Sequence, residues 1–385
     1  MNKKICIITG SRAEYGLLYP LLKAIEGEEN FILQIVATGM HLSPEFGLTY
    51  QEIEKDGFTI NEKVEMLLSS DTDSGISKSI GLGMIGFSDI FNRLKPDLVI
   101  VLGDRFETYA AVTTAYIAKI PIAHLHGGEV TEGATDEGLR HAITKMSYWH
   151  FTSTEAYKNR VIQLGESPER VFNVGAIGID NIKKIELYSK QWLIDNLKFD
   201  LSSPFIIITY HPVTLENNSA EEQFNELLKA LSQFSQLKLI FTKPNADANG
   251  RVIIKLIDDF VRENPEQSVG FVSLGQKRYL SLMQYAQAVV GNSSSGIIET
   301  PSFGIPTINI GDRQKGRERV GSVIDTQANE QSIAKAIKEA ILPSFQKLCQ
   351  SVQNVYGDGQ TTERIMEILV TKGIPQNLKK PFFDL

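Results

Sequence analysis

At 385 residues the chain is long for one hydrophobic core, and two domains of a little under about 200 residues each are expected. A composition of 42% hydrophobic and 22% charged residues excludes a disordered or fibrous chain. The net charge of −7 excludes a phosphate-tracking nucleic-acid surface, which needs a net or clustered positive field, so any phosphate must be held locally.

The chain opens on "MNKKICIITG". Its apolar run stops at Gly10, with no second apolar block and no small-residue cleavage site, so it reads as a first strand and not as a signal peptide. No stretch approaches the roughly 20 apolar residues that span a bilayer. Cys6 and Cys349 lie far apart without metal-type spacing. A cytoplasmic protein with no nucleic-acid partner and no membrane partner is expected.

Short β-branched runs then alternate with helix-length segments: "ICIITG" (5–10), "FILQIVATG" (31–39), "DLVIVLGD" (97–104), "IPIAHLHGG" (120–128), "YWHFTST" (148–154) and "RVFNVG" (170–175). Continuous apolar runs bounded by Gly and Asp are the pattern of a parallel sheet buried on both faces. After a polar stretch around 184–203 a second series follows: "FIIITYHP" (205–212), "LKLIFTKPN" (237–245), "VGFVSL" (269–274), "AVVGNSS" (288–294) and "IPTINIG" (305–311). The spacing predicts helices over 220–236, 277–287 and about 361–370. The fold class is therefore α/β, with two doubly wound, Rossmann-like parallel-sheet domains facing a central cleft. Residues 1–178 form the first domain and 179–360 the second, with the crossing near Gly175 and Gly178. The segment 361–385 is expected to complete the first domain.

In such folds ligands sit at the carboxyl ends of the strands, and charged residues cluster there. Arg12 and Glu14 follow the first strand; Asp104, Arg105 and Glu107 follow the third run; His126 and Glu129 follow the fourth; His211 follows "FIIITY". The densest segment is "HLHGGEVTEGATDEGLRHAITK". His124 and His126 alternate along a strand and are expected to face one side, and Gly127 and Gly128 permit a tight turn beside a ligand. Asp136 with Arg140, and Glu137 with His141, stand four apart on one helical face, and Asp136 at the helix start is expected to face a ligand. His-x-His with Asp104 and His211 could form a zinc centre. Against that, Arg12, Arg105 and Arg140 suit an anionic substrate, so no metal and no other cofactor is expected.

In the second half, "VVGNSSSGIIETPSFGIPTINIGDRQKGRER" ends a strand at Gly291 and opens a helix on Asn292-Ser293-Ser294-Ser295. Exposed N–H groups, hydroxyls and the positive helix end make an anion site there. No Gly-Lys-Ser/Thr follows, so it is not a Walker loop. Glu299 lies near enough to hydrogen-bond a ribose, and the planar fork of Arg313 could pair with a diphosphate.

The stretches "TGSRAEYG", "VLGDRFE", "HLHGGE", "DEGLRHAITKMS", "ITYHP", "GNSSSGIIE" and "INIGDRQKGR" run through both domains in order. By them the chain resembles, from end to end, the hydrolysing UDP-N-acetylglucosamine 2-epimerases of bacterial sialic acid synthesis. It is similar also to the epimerase half of the bifunctional mammalian enzyme of that pathway. The resemblance implies a GT-B architecture binding a UDP-sugar, with a homodimer or homotetramer as the assembly. It implies that Ser293, Ser294 and Arg313 hold the diphosphate and Glu299 the ribose hydroxyls. Arg12 and His211 would lie near phosphate and sugar, Asp104, His126, Asp136 and Arg140 around the hexose, and Asn245 would add a sugar or ribose contact. Many relatives carry Glu where this chain has His126, with the Glu129 carboxylate three residues on, which leaves the proton work open between these two.

The implied reaction removes the C2 proton as UDP leaves C1, then hydrates the glycal to N-acetylmannosamine. Asp104 and Asp136 are expected to transfer protons, His126 or Glu129 to act as a second acid or base, and His211 to assist UDP departure. UDP-linked 2,4-diacetamido-2,4,6-trideoxyglucose is the alternative substrate. A retaining glycosyltransferase shares the fold, but the "HGGE…DEGLRHAITK" block holds more titratable groups than a transferase needs. A non-enzymatic UDP-sugar sensor would bind without turnover.

Overall fold

The computed structural model describes residues 2–68, 70, 72–132, 135–213, 219–244 and 250–385. Its described residues hold two all-parallel sheets. The first is built from β1 (Lys3–Thr9), β2 (Phe31–Thr38), β3 (Glu62–Val64), β4 (Leu98–Leu102), β5 (Ile122–Leu125), β6 (Trp149–Thr152) and β7 (Val171–Asn173), in the order β3-β2-β1-β4-β5-β6-β7. The second is built from β8 (Phe205–Thr209), β9 (Lys238–Thr242), β10 (Ser268–Phe271), β11 (Ala288–Gly291), β12 (Thr307–Ile310) and β13 (Val323–Thr326), in the order β10-β9-β8-β11-β12-β13. Both are doubly wound Rossmann-like sheets, as the alternating runs predict. β3 and β13 were not expected. Both are short edge strands, "EKV" and "VIDT", whose polar residues carry no continuous apolar signal.

Alternation explains why the central strands of the first sheet carry apolar residues on both faces. Ile5 and Ile7 of β1 pack on one face with Leu18, Leu21, Leu22 and Ile25 of the helix Arg12–Glu26, while Cys6 and Ile8 pack on the other with Phe87, Ile90 and Phe91 of the helix Asp73–Leu94. Each such side chain, fully withdrawn from water, contributes about 2 kcal/mol. In the second sheet Ile206, Ile208, Phe241 and Val290 pack with Phe224 and Leu227 of the helix Ala220–Ser232 and Ile333 and Ile337 of the helix Glu330–Ala340.

By internal contacts one compact unit comprises residues 1–129, 136–183 and 356–385, and the other comprises 130–135 and 184–355. The terminal helix Thr361–Lys372 is fastened to the first unit by Asp180, which has no exposed surface. The Asp180 carboxylate accepts from Thr361 N (2.9 Å) and Thr362 N (2.6 Å), two of the N–H groups a helix start leaves without partners. Beyond that helix, Lys380 Nζ donates to Glu166 (2.8 Å) and to the Ser147 carbonyl (2.6 Å), and Phe383 N to the Gly165 carbonyl (3.0 Å). We expect Asp180→Ala to cost about 2 kcal/mol, read as a lower urea midpoint for the first unit. An unchanged midpoint would mean that water or neighbouring hydroxyls replace the carboxylate. Among the described residues no helix is long and apolar enough to cross a membrane.

In both sheets the strand order reverses between two neighbours, β1 with β4 and β8 with β11. Crossovers leave in opposite directions there, so the carboxyl ends of those strands are open to a ligand.

Candidate functional site

In the first unit, Ser11 caps the helix that follows β1, its hydroxyl accepting from Glu14 N (3.3 Å). Arg12 forms an ion pair with Glu52 at 2.5 Å. Glu14 turns back to accept from Gly10 N at 2.6 Å. Burial pushes the Glu14 carboxyl up to about 8, opposed by the Gly10 N–H and reinforced by the negative charge of Glu107. Arg105 grips Glu107 through Nε (3.2 Å) and Nη2 (3.1 Å). Glu107 in turn lies so close over Gly39, at φ +56°, that a Cβ there would stand 2.7 Å from its Oε1. Glu14 and Arg105, expected at the ligand, thus make these bonds within the protein.

Asp104 follows β4 and Gly103, and its carboxylate accepts a short bond from Arg140 Nη2. The loop is propped by His124, whose two ring nitrogens lie 2.7 Å from the Gly103 carbonyl and 3.2 Å from the Thr144 hydroxyl. Burial pushes His124 down to about 3, so the ring is neutral at pH 7. Because a carbonyl only accepts, Nε2 carries the proton and Nδ1 accepts from Thr144. Both nitrogens are used, and among the described residues no three His, Cys, Asp or Glu side chains are placed to hold a metal ion.

Arg140, 1% exposed, also donates through Nη1 to the Glu129 carbonyl (2.8 Å) and to Glu137 (2.7 Å). A buried guanidinium is tolerable when two carboxylates and a carbonyl match its fork. The helix Asp136–Met146 therefore presents Glu137 to Arg140 at i,i+3, and Glu137 also meets His141 at 2.9 Å as the spacing predicts. Asp136, half-buried, is the first residue of that helix.

His126 corrects the expected strand alternation. β5 ends at Leu125, and His126 takes φ +65°, so it turns off the strand instead of pairing with His124. Its Nε2 accepts from Ile177 N at 3.3 Å, which places the proton of the neutral ring on Nδ1, 3.0 Å from Glu129 Oε1. Ser153 donates to the same oxygen at 2.8 Å. His126 and Glu129, read as alternatives, are one hydrogen-bonded unit.

In the second unit the same logic recurs at β8 and β11. Gly291 ends β11 at φ +138°, where a Cβ would stand 1.9 Å from the Thr209 carbonyl, so only glycine fits. Asn292 then accepts from His211 N (2.7 Å) and donates to the His211 carbonyl (2.8 Å). Its own carbonyl accepts from Arg313 Nη1 (3.1 Å) and Gln314 Nε2 (2.9 Å). Ser293 caps the helix Ser294–Ile298, and Ser295 donates a short bond to Glu299. That helix has five residues, too few for the expected contribution from a macrodipole. His211, Ser293, Ser294, Glu299 and Arg313 are thus grouped around one strand switch, whereas Asn245 lies outside the described residues. Ser153 was not anticipated from the sequence, whereas Glu107 was noted after the third run, Glu137 as the partner of His141, and Asn292 by its place directly before the serines.

Residues 23–370 match the family model described as UDP-N-acetylglucosamine 2-epimerase. The chain is 46% identical over 329 residues, 86% of this chain and 85% of the relative, to the GDP/UDP-N,N'-diacetylbacillosamine 2-epimerase (hydrolyzing) of Campylobacter jejuni. It is 40% identical, over 92% of this chain and 90% of the relative, to the polysialic acid biosynthesis protein P7 of Escherichia coli. In fold it is similar to the crystal structure of UDP-GlcNAc 2-epimerase from Neisseria meningitidis bound to UDP-GlcNAc, with TM-score 0.81 at 20% identity over 95% of this chain and 99% of that one. Its two Rossmann-like sheets thus form a GT-B-like architecture, and the chain belongs to the UDP-N-acetylglucosamine 2-epimerase family.

Proposed function

We propose that the protein is a hydrolysing 2-epimerase of a UDP-linked 2-acetamido sugar. The observation that carries this reading is Arg140, bound at once to Asp104, Glu137 and the Glu129 carbonyl. It sets carboxylates of separate elements around one fixed cation, beside the His126–Glu129 unit. Such a cluster suits two proton transfers, which a simple glycosyl transfer does not need.

The C2 proton of such a sugar is not acidic, so its removal is coupled to loss of the leaving group. Asp104 or Asp136 takes H2, the C2–H electron pair forms C1=C2, and the C1–O bond breaks with its electrons leaving on UDP. Ser293, Ser294 and Arg313 hold the departing diphosphate, Glu299 holds the ribose, and Arg12 and His211 assist departure by countering developing charge. Water then adds its OH at C1 of the glycal, and a proton returns to C2 from the opposite face through the other carboxylate or the His126–Glu129 unit. The products are free UDP and the 2-epimeric sugar.

Similarity to a hydrolysing N,N'-diacetylbacillosamine epimerase supports UDP-2,4-diacetamido-2,4,6-trideoxyglucose as the first substrate to test. Similarity to a polysialic acid biosynthesis protein supports UDP-N-acetylglucosamine beside it. Proton NMR in D₂O should show free UDP and a manno-configured sugar deuterated at C2 from one of the two. Release of UDP with an unepimerised, undeuterated sugar would overturn the reading in favour of plain hydrolysis by a transferase-like enzyme.

A further inference from the structure

Asn292 has no exposed surface, and all four of its polar groups are engaged. Its N–H donates to the Thr209 carbonyl at 3.1 Å, continuing the ladder between β8 and β11 by one step. The strand pairing ends there, and the side-chain amide takes over. Its Oδ1 accepts from His211 N at 2.7 Å while Nδ2 donates to the His211 carbonyl at 2.8 Å. The amide therefore acts as an added peptide unit that pairs both backbone groups of His211. The backbone carbonyl of Asn292 serves a separate purpose, accepting from Arg313 (3.1 Å) and Gln314 (2.9 Å).

We infer that Asn292 is a positioning residue that fixes His211 relative to the Ser293–Ser295 loop. This rests on the proposed role of His211 in UDP departure. The bidentate pairing sets the position of the His211 Cα, and hence the origin of its imidazole, which no contact to the ring alone would do. A side-chain substitution removes that clip and leaves the carbonyl that holds Arg313. The effect therefore falls on the chemical step more than on nucleotide binding. Placement errors of about 1 Å in a catalytic group cost on the order of 100-fold in rate.

The test uses Asn292→Ser, with the isosteric Asn292→Asp as a second variant that keeps the acceptor but sets a carboxylate oxygen against the His211 carbonyl. The chain has six histidines, so ¹⁵N-imidazole NMR reads His211 beside five internal controls. In either variant the His211 ring signals should shift or broaden, while those of His41, His124, His126, His141 and His150, all in the first unit, hold, and a wild-type urea midpoint for the second unit reports that its own fold is intact. Unchanged His211 signals would overturn the inference. In kinetics, kcat should fall about 100-fold, with the UDP dissociation constant within about threefold of the wild type by calorimetry. Asn292→Ser should add nothing to His211→Ala in the double variant. Multiplicative losses in that cycle would also overturn it, since Asn292 would then act other than through His211. A wild-type protein that turns over neither UDP-sugar would instead defeat the proposed function, while the NMR comparison would still decide whether Asn292 places His211.

Discussion

Asp104→Asn should lower turnover about 1000-fold or more while UDP binds as it does to the wild type. The change is nearly isosteric, and an amide oxygen can still accept from Arg140, so the loop after Gly103 keeps its His124 prop. What is lost is the capacity to take and return a proton, together with the negative charge that Arg140 faces. The groups proposed to hold the nucleotide belong to the second unit and are untouched. The check pairs a UDP-release assay with calorimetric UDP binding. Activity within about tenfold of the wild type would exclude Asp104 from proton transfer, and lost UDP affinity would mean that it serves binding instead.

Arg140→Met should destabilise the first unit by about 3 kcal/mol and abolish turnover. Methionine fills most of the volume but satisfies none of the three acceptors. Asp104 and Glu137 then face each other without a cation between them, and the Glu129 carbonyl loses its donor. Arg140→Lys restores the charge but not the planar fork, since a single ammonium cannot match both carboxylates and the carbonyl in the same geometry. It should recover part of the stability and little of the activity. Urea unfolding gives the first quantity and sugar NMR the second. A loss below about 1 kcal/mol would show that the cluster is a solvated surface arrangement.

Most strands were legible because burial on both faces leaves apolar runs that punctuation by Gly and Asp separates. β3 and β13 were not, because an edge strand with half-exposed residues such as Glu62 and Asp325 has no such run. The residues after β1, β4, β8 and β11 could be picked out because a doubly wound sheet has few places for charge. Their partners could not. Helix spacing offered Asp136 to Arg140, whereas the structure supplies Glu137 one residue closer and Asp104 from 36 residues upstream. Asn292 serves a backbone 81 residues away, and a pairing of that kind leaves no local periodicity. His126 misled because a turn residue with positive φ looks, in sequence, like one more step of the strand before it.

The path of the chain has a consequence for how the protein is made. Residues up to 183 leave the ribosome first, but their sheet lacks the helix Thr361–Lys372, whose Ile365 and Leu369 share a core with Ile5 and Ile7. At ordinary translation speed that apolar face waits on the order of ten seconds or more for its cover, during which the later-synthesised unit can already fold. The nascent first sheet is thus the part that calls for chaperone protection. A premature stop codon late in the gene would injure not the sheet being translated when synthesis fails but the one that was made first.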